Sequence, residues 1–192
     1  MLQNYIEDQN FDKMDFTKKP LAKAEYISCT FTNCDFSNFN LTDFKFLECV
    51  FSECNLSMAK LTHTSFKEVE FKGCKMLGLH FEYCNEFAFA VSMQNCVLDH
   101  ASFYQRQLKK TEFKSCRMLD VDFTECDLSQ STFMECDLTG AVFYNSNLEK
   151  ADLRTAINYS IDPIHNRIKK AKFSLNGVAG LLQQFDIEID RK

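Results

Sequence analysis

A period of five residues runs through this chain and constrains its fold more than any other feature. Every fifth residue from Phe11 to Phe81, and again from Met93 to Leu153, is Phe, Leu, Met or, once, Tyr. With each such residue taken as position i, nine of the ten cysteines fall at i−2: Cys29, Cys34, Cys49, Cys54, Cys74, Cys96, Cys116, Cys126 and Cys136; Cys84 does so when the first register is extended one step, to Glu86. Ala24, Ala59, Ala101, Ala141 and Ala151 fall there too, while Ser and Thr recur at i+1, as at Thr42, Ser57 and Thr124.

Five matches neither the 3.6-residue turn of a helix nor the two-residue alternation of a long strand, so the chain must turn within each unit. The two inward positions are two apart, which suits a three-residue extended segment, and the Ser/Thr/Asn/Asp/Gly-rich remainder suits a corner. Four such sides close a square coil of twenty residues, so residues twenty apart should stack. They match in kind: Phe103, Phe123 and Phe143; Leu108, Leu128 and Leu148; Phe113, Phe133 and Leu153; Leu98, Met118 and Leu138.

Several units, among them Cys34-Asp35-Phe36-Ser37-Asn38, Cys54-Asn55-Leu56-Ser57-Met58, Cys126-Asp127-Leu128-Ser129-Gln130 and Cys136-Asp137-Leu138-Thr139-Gly140, resemble the A(D/N)LXX motif of the pentapeptide repeat family. The resemblance covers about residues 10 to 156 and implies an all-β fold, a right-handed quadrilateral β-helix. About seven coils are expected, with an N-terminal cap around Lys18, Lys19 and Pro20, in a first unit spanning 1–156, followed by a C-terminal segment, 157–192.

Fourteen of the twenty Phe residues occupy position i, so the aromatic content is expected to be core. The cysteines show no CxxC spacing and point inward, which makes them reduced, small, apolar fillers interchangeable with Ala; no metal or other cofactor is expected. His63, His80, His100 and His165 lack ligand spacing. No apolar run approaches the roughly 18 residues of a membrane span and no signal peptide is evident, so a cytoplasmic protein without membrane contact is expected.

The register breaks between Cys84 and Cys96, which are twelve apart, so a bulge or loop is expected within 82–97. It is either a tolerated insertion or a partner-binding surface. Arg106, at an i−2 position, implies a second irregularity or a paired charge, since a bare buried guanidinium is costly. Phe39 and Phe44, also at i−2, should swell one side. After Leu153 the pattern stops: Asp162-Pro163 marks a turn, Ile168 to Phe173 could form a last strand, and Ser174 suits the N-cap of a short α-helix through Gln184. The apolar residues of that helix, Leu175, Val178, Leu181, Leu182 and Phe185, are candidates for a homodimer contact, as in C-terminal extensions of similar family members.

No nucleophile motif, phosphate loop, dinucleotide fingerprint or paired acid cluster is present, so no catalytic residues are expected and the chain reads as non-enzymatic. The resemblance to Qnr-type family members implies a DNA mimic that binds a bacterial type II topoisomerase, DNA gyrase or topoisomerase IV, and protects it from poisons such as quinolones without binding nucleic acid itself. The net charge of −5 is compatible, and between Arg117 and Leu153 eight acids face two bases. Candidate partner-binding residues are Asp99, Asp120, Asp122, Glu125, Asp127, Glu135 and Asp137. The alternative is a general protein-interaction scaffold with a different partner.

Overall fold

The computed structural model describes residues 5–190. Nine parallel strands stack on one side of the coil: β2 (Asn10–Asp12), β4 (Thr30–Thr32), β6 (Val50–Ser52), β8 (Val69–Lys72), β9 (Val91–Gln94), β10 (Glu112–Lys114), β11 (Thr132–Met134), β12 (Asp152–Leu153) and β13 (Lys172–Phe173). They bracket about eight turns, one more than expected, because the coil continues into both ends of the chain. At roughly 4.8 Å per turn the shaft is about 38 Å long.

Four more strands, β1 (Tyr5–Glu7), β3 (Glu25–Ile27), β5 (Lys45–Leu47) and β7 (Ser65–Lys67), form a second parallel sheet on the preceding side. The other two sides carry bridges such as Asp15↔Asp35↔Asn55 and Ser102↔Asp122↔Val142. We number the sides in chain order: side 1 holds Tyr26, side 2 Phe31, side 3 Phe36 and side 4 Leu41. Lys18, Lys19 and Pro20 lie in the first coil, between the buried Phe16 and Leu21, and not in a separate cap.

The expected columns form the core. Phe11, Phe31, Phe51 and Phe71 stack with ring centroids 4.8 to 5.2 Å apart, and Phe81, Phe103, Phe123 and Phe143 do so at 4.5 to 5.3 Å. Rings on opposite sides meet edge to face across the core, as in Phe113 of side 2 against Phe123 of side 4, so facing quadrupoles attract within and between columns. Phe44 is accommodated because Ala24 and Thr64 flank it along its column, and Phe39 is followed by Ala59.

Corners are closed by two devices. The residue at i+2 adopts positive φ, as at Glu48, Met58 and Gln130. The Asp or Asn at i−1 turns its Oδ1 back to accept the i+1 backbone N–H, as in Asp35 to Ser37 (2.8 Å), Asp122 to Thr124 (2.8 Å) and Asp127 to Ser129 (2.9 Å). The acid of the repeat is therefore a turn former first.

Beyond Leu153 the solenoid persists: Arg167 bridges to Asn147 and β13 pairs with β12. Ser174 caps the following helix as expected, its Oγ accepting the Gly177 N–H at 3.1 Å. The hydrogen bonding is 3-10 and not α, over Leu175–Leu181 and Gln183–Phe185. Gly180 lies so close to the rod end that a Cβ there would sit 2.1 Å from the Tyr159 carbonyl oxygen, and the tighter, narrower helix fits that approach.

Acid should weaken this fold. Bonds from Lys18 and Thr17 hold the Asp15 carboxyl down at about 2, while Lys23 lowers Asp43 and Arg154 lowers Asp152. Carboxyls depressed in the folded state stabilise it above their unfolded value of about 4, and that contribution is lost as pH falls through their folded values. Urea midpoints should therefore be flat down to about pH 4 and drop towards pH 2; a midpoint unchanged across that window would contradict these pairs.

Candidate functional site

Ten thiols in one chain invite chemistry. All ten are buried and free. Six of them, Cys34, Cys54, Cys74, Cys96, Cys116 and Cys136, stand in one column inside side 3. Five of these thiols donate to carbonyls of the preceding coil, as Cys54 does to Phe31 and Cys74 to Phe51 at 3.3 Å, while Cys136 donates to Met134. Thr64 and Ser146 do the same with hydroxyls, to Leu41 (2.8 Å) and Phe123 (2.7 Å). A small side chain with a weak donor is what this position accepts. Burial pushes the Cys49 and Cys126 thiols up to about 12, so they remain protonated at neutral pH. A disulfide reagent should find essentially no reactive thiol in the native protein at pH 8 and ten after denaturation; rapid native labelling would refute the packing role.

The register break is narrower than 82–97. Sides 2, 3 and 4 pair straight through it, with Phe71↔Met93, Lys75↔Val97 and His80↔Ser102. Only side 1 is interrupted: residues 86–89 leave the ladder between Asn85 and Ala90, which still pair with the preceding coil, and Phe87 stands 74 % exposed under the Lys67 ammonium. Arg106, 5 % exposed, belongs to the same irregularity and not to a second one. Its Nη2 donates to the Cys84 carbonyl at 2.6 Å and to the Glu82 carbonyl, and its guanidinium lies over the Phe89 ring, 5.5 Å from the centroid. Its partners are carbonyls and a ring face in place of a carboxylate.

The candidate acids part company. Asp99 is buried; Arg117 grips its carboxylate through Nε (3.1 Å) and Nη2, and it accepts the Leu119 N–H. It is therefore not part of an exposed acidic surface, because its coil places it beneath a cation eighteen residues on. Asp137, on side 3, accepts from Thr139 and Asn158. Glu135, at the corner of sides 2 and 3, accepts from Ser115 Oγ at 2.9 Å. Asp120, Asp122, Glu125 and Asp127 follow one another along a single turn, from the corner of sides 3 and 4 across side 4 and onto side 1.

Side 4 also carries what the sequence reading passed over. Tyr83, Tyr104, Val142, Tyr144 and Ile164 are all exposed on it. Tyr104, Tyr144 and Ile164 occupy i+1, a position that on the same side is Thr at Thr42, Thr62 and Thr124, and that departure was the available signal. At the C-terminal end Leu175, Val178 and Phe185 face outward, whereas Leu181 packs against the core and Leu182 is half-buried. A groove of about 410 Å³ on side 2 is lined by Thr132, Met134, Glu135, Asp152, Arg154 and Thr155. Its Asp152 and Arg154 pair with each other at 2.7 Å.

The repeat geometry is matched by family comparison: residues 24–86 and 88–159 fit the pentapeptide repeat region. The chain belongs to the pentapeptide repeat family. Its fold is the family's right-handed quadrilateral β-helix. It is similar to HetL, a pentapeptide repeat protein involved in heterocyst differentiation regulation from the cyanobacterium Nostoc sp. strain PCC 7120. The likeness has 14 % identity and a TM-score of 0.67, over 92 % of this chain and 90 % of that one. It is also similar to a trypsin-treated form of QnrB1, a plasmid-mediated fluoroquinolone resistance protein, at 19 % identity and a TM-score of 0.50, over 98 % of each chain. No curated protein matches the sequence. At these identities the likeness is one of fold. Among the described residues, no helix is long and apolar enough to cross a membrane.

Proposed function

We propose that this pentapeptide repeat protein is a non-enzymatic, cytoplasmic DNA mimic that binds a bacterial type II topoisomerase, DNA gyrase or topoisomerase IV, and protects it from quinolone-type poisons. The observation that carries the reading is the single turn bearing Asp120, Asp122, Glu125 and Asp127 on a regularly paired shaft. Such a turn presents clustered negative charge to a basic DNA-binding groove, and the attraction weakens with salt. The likeness to QnrB1 supports the choice of partner through the fold.

The test is a gyrase supercoiling assay with and without a fluoroquinolone. The quadruple variant Asp120→Asn, Asp122→Asn, Glu125→Gln, Asp127→Asn keeps the turn-forming amide oxygens and removes the charge. The parent should inhibit or protect and the variant should do neither; no effect of the parent on gyrase or topoisomerase IV would end this reading.

A second reading, a protein-interaction scaffold with another partner, is favoured by the exposed stripe of Tyr83, Tyr104, Val142, Tyr144 and Ile164. Aromatic residues of this kind anchor protein interfaces. We further propose a homodimer joined end to end through Leu175, Val178 and Phe185, with Leu181 and Leu182 seating the helix on the rod. Sedimentation should give a dimer at micromolar concentration, and Val178→Glu with Phe185→Glu should give a monomer; a monomeric parent would exclude it.

A further inference from the structure

We propose that the edge between sides 1 and 2 in the C-terminal half of the rod is a docking line for an anionic lipid surface, independent of topoisomerase binding. Lys110, Gln130, Lys150 and Lys170 occupy successive i+2 corners, with φ of 63°, 62°, 60° and 60°. Their backbones are tied coil to coil, Lys110 N to Ser129 O, Gln130 N to Glu149 O and Lys150 N to Lys169 O, at 2.9 to 3.0 Å. Equal φ and parallel stacking throw three ammonium groups outward in one row, spaced about 5 to 10 Å along the axis. Lys109 and Lys169, at the adjoining i+1 positions, widen the row to five exposed lysines.

These charges are available. Among the described residues none of the five is in an ion pair, while the neighbouring acids are engaged: Glu149 with Arg167 at 2.9 Å, and Asp152 with Arg154 and Lys172. Glu112 on side 2 is exposed and has no such cation. The acidic turn begins at Asp120, on the diagonally opposite corner, and ends on side 1 at Asp127, whose Oδ1 accepts from the Ser129 N–H and Asn147 Nδ2, both at 2.9 Å. Facing sheets about 10 Å apart put Asp120 beyond the ~8 Å Debye length at physiological salt, and the five lysines outnumber Asp127 and Glu112 along this edge, so it stays locally positive.

Shape selects the partner. The lysines lie on a straight, convex edge, which touches a plane along its whole length but meets a duplex, itself convex, at few phosphates. Mobile lipid headgroups also adapt to the coil spacing. A peripheral contact of this kind needs no membrane-spanning segment.

The test is co-sedimentation of the full chain with phosphatidylcholine vesicles, with and without phosphatidylserine, alongside a duplex DNA control. Binding should require phosphatidylserine and fall with salt. Each lysine should be worth about 5-fold in partitioning, so Lys110→Ala, Lys150→Ala, Lys170→Ala together should lower it about 100-fold. Lys60→Ala, on side 4, should leave it unchanged. No phosphatidylserine-dependent binding at low salt, equal binding by the triple variant, or lysine-dependent binding of the duplex in place of vesicles would each overturn the proposal. The gyrase assay of the same triple variant should be normal, which separates this edge from the acidic turn.

Discussion

Phe123→Ala should destabilise the protein by about 3 to 5 kcal/mol, read as a lower urea midpoint. The ring is fully buried and meets four others: Phe103 and Phe143 above and below at 5.3 and 5.2 Å, and Phe113 and Phe133 edge-on at 6.0 and 5.8 Å. A cavity there cannot collapse readily, because the backbone of each coil is pinned by parallel hydrogen bonds to both neighbours. In a solenoid each coil contacts only the next, so the damage should be local in its origin. Hydrogen exchange should accelerate first in the turns around 118–138, while the N-terminal coils keep their protection. Phe123→Leu, which retains most of the volume, should cost appreciably less. A loss below about 1 kcal/mol for the alanine variant would mean that the columns do not carry the stability assigned to them.

Arg106→Met should cost about 2 to 4 kcal/mol, an unusual penalty for replacing a charged residue by an apolar one of similar length. In most buried positions that exchange is tolerated, but here the guanidinium satisfies the Glu82 and Cys84 carbonyls where the interruption of side 1 denies them the usual coil-to-coil partner. Removing it strands both acceptors in a dry environment and leaves Phe89 without its cation. Arg106→Lys, with a single ammonium in place of the planar fork, should recover only part of the loss. The distinguishing measurement is exchange of the amides in 85–91, which should quicken in Arg106→Met while those of side 3 do not. Stability within about 0.5 kcal/mol of the parent would show that the loop holds itself without the arginine.

Much of the fold was legible in the sequence. Positions i and i−2 face a dry interior, so the need to exclude water writes itself into residue type every five residues, and the cysteines follow as packing. Ser174 as a cap and the final strand near Phe173 were readable from local chemistry alone. The helix after Ser174 was legible as a helix, but its 3-10 form depends on how closely Gly180 meets Tyr159, a contact between different coils.

The candidate site was less legible for the same reason. Asp99 looked like its exposed neighbours until Arg117 from the following turn covered it, and Arg106 looked like a separate fault until it closed on Glu82 and Cys84. The sequence by itself determined the four-sided coil, its columns and the place of the break, because solvent exclusion acts identically on every repeat. Only the tertiary structure decided which side absorbed the two extra residues, which acids remain exposed and which lysines share an edge. Those outcomes depend on side chains about twenty residues apart meeting across coils, and no local pattern encodes such meetings.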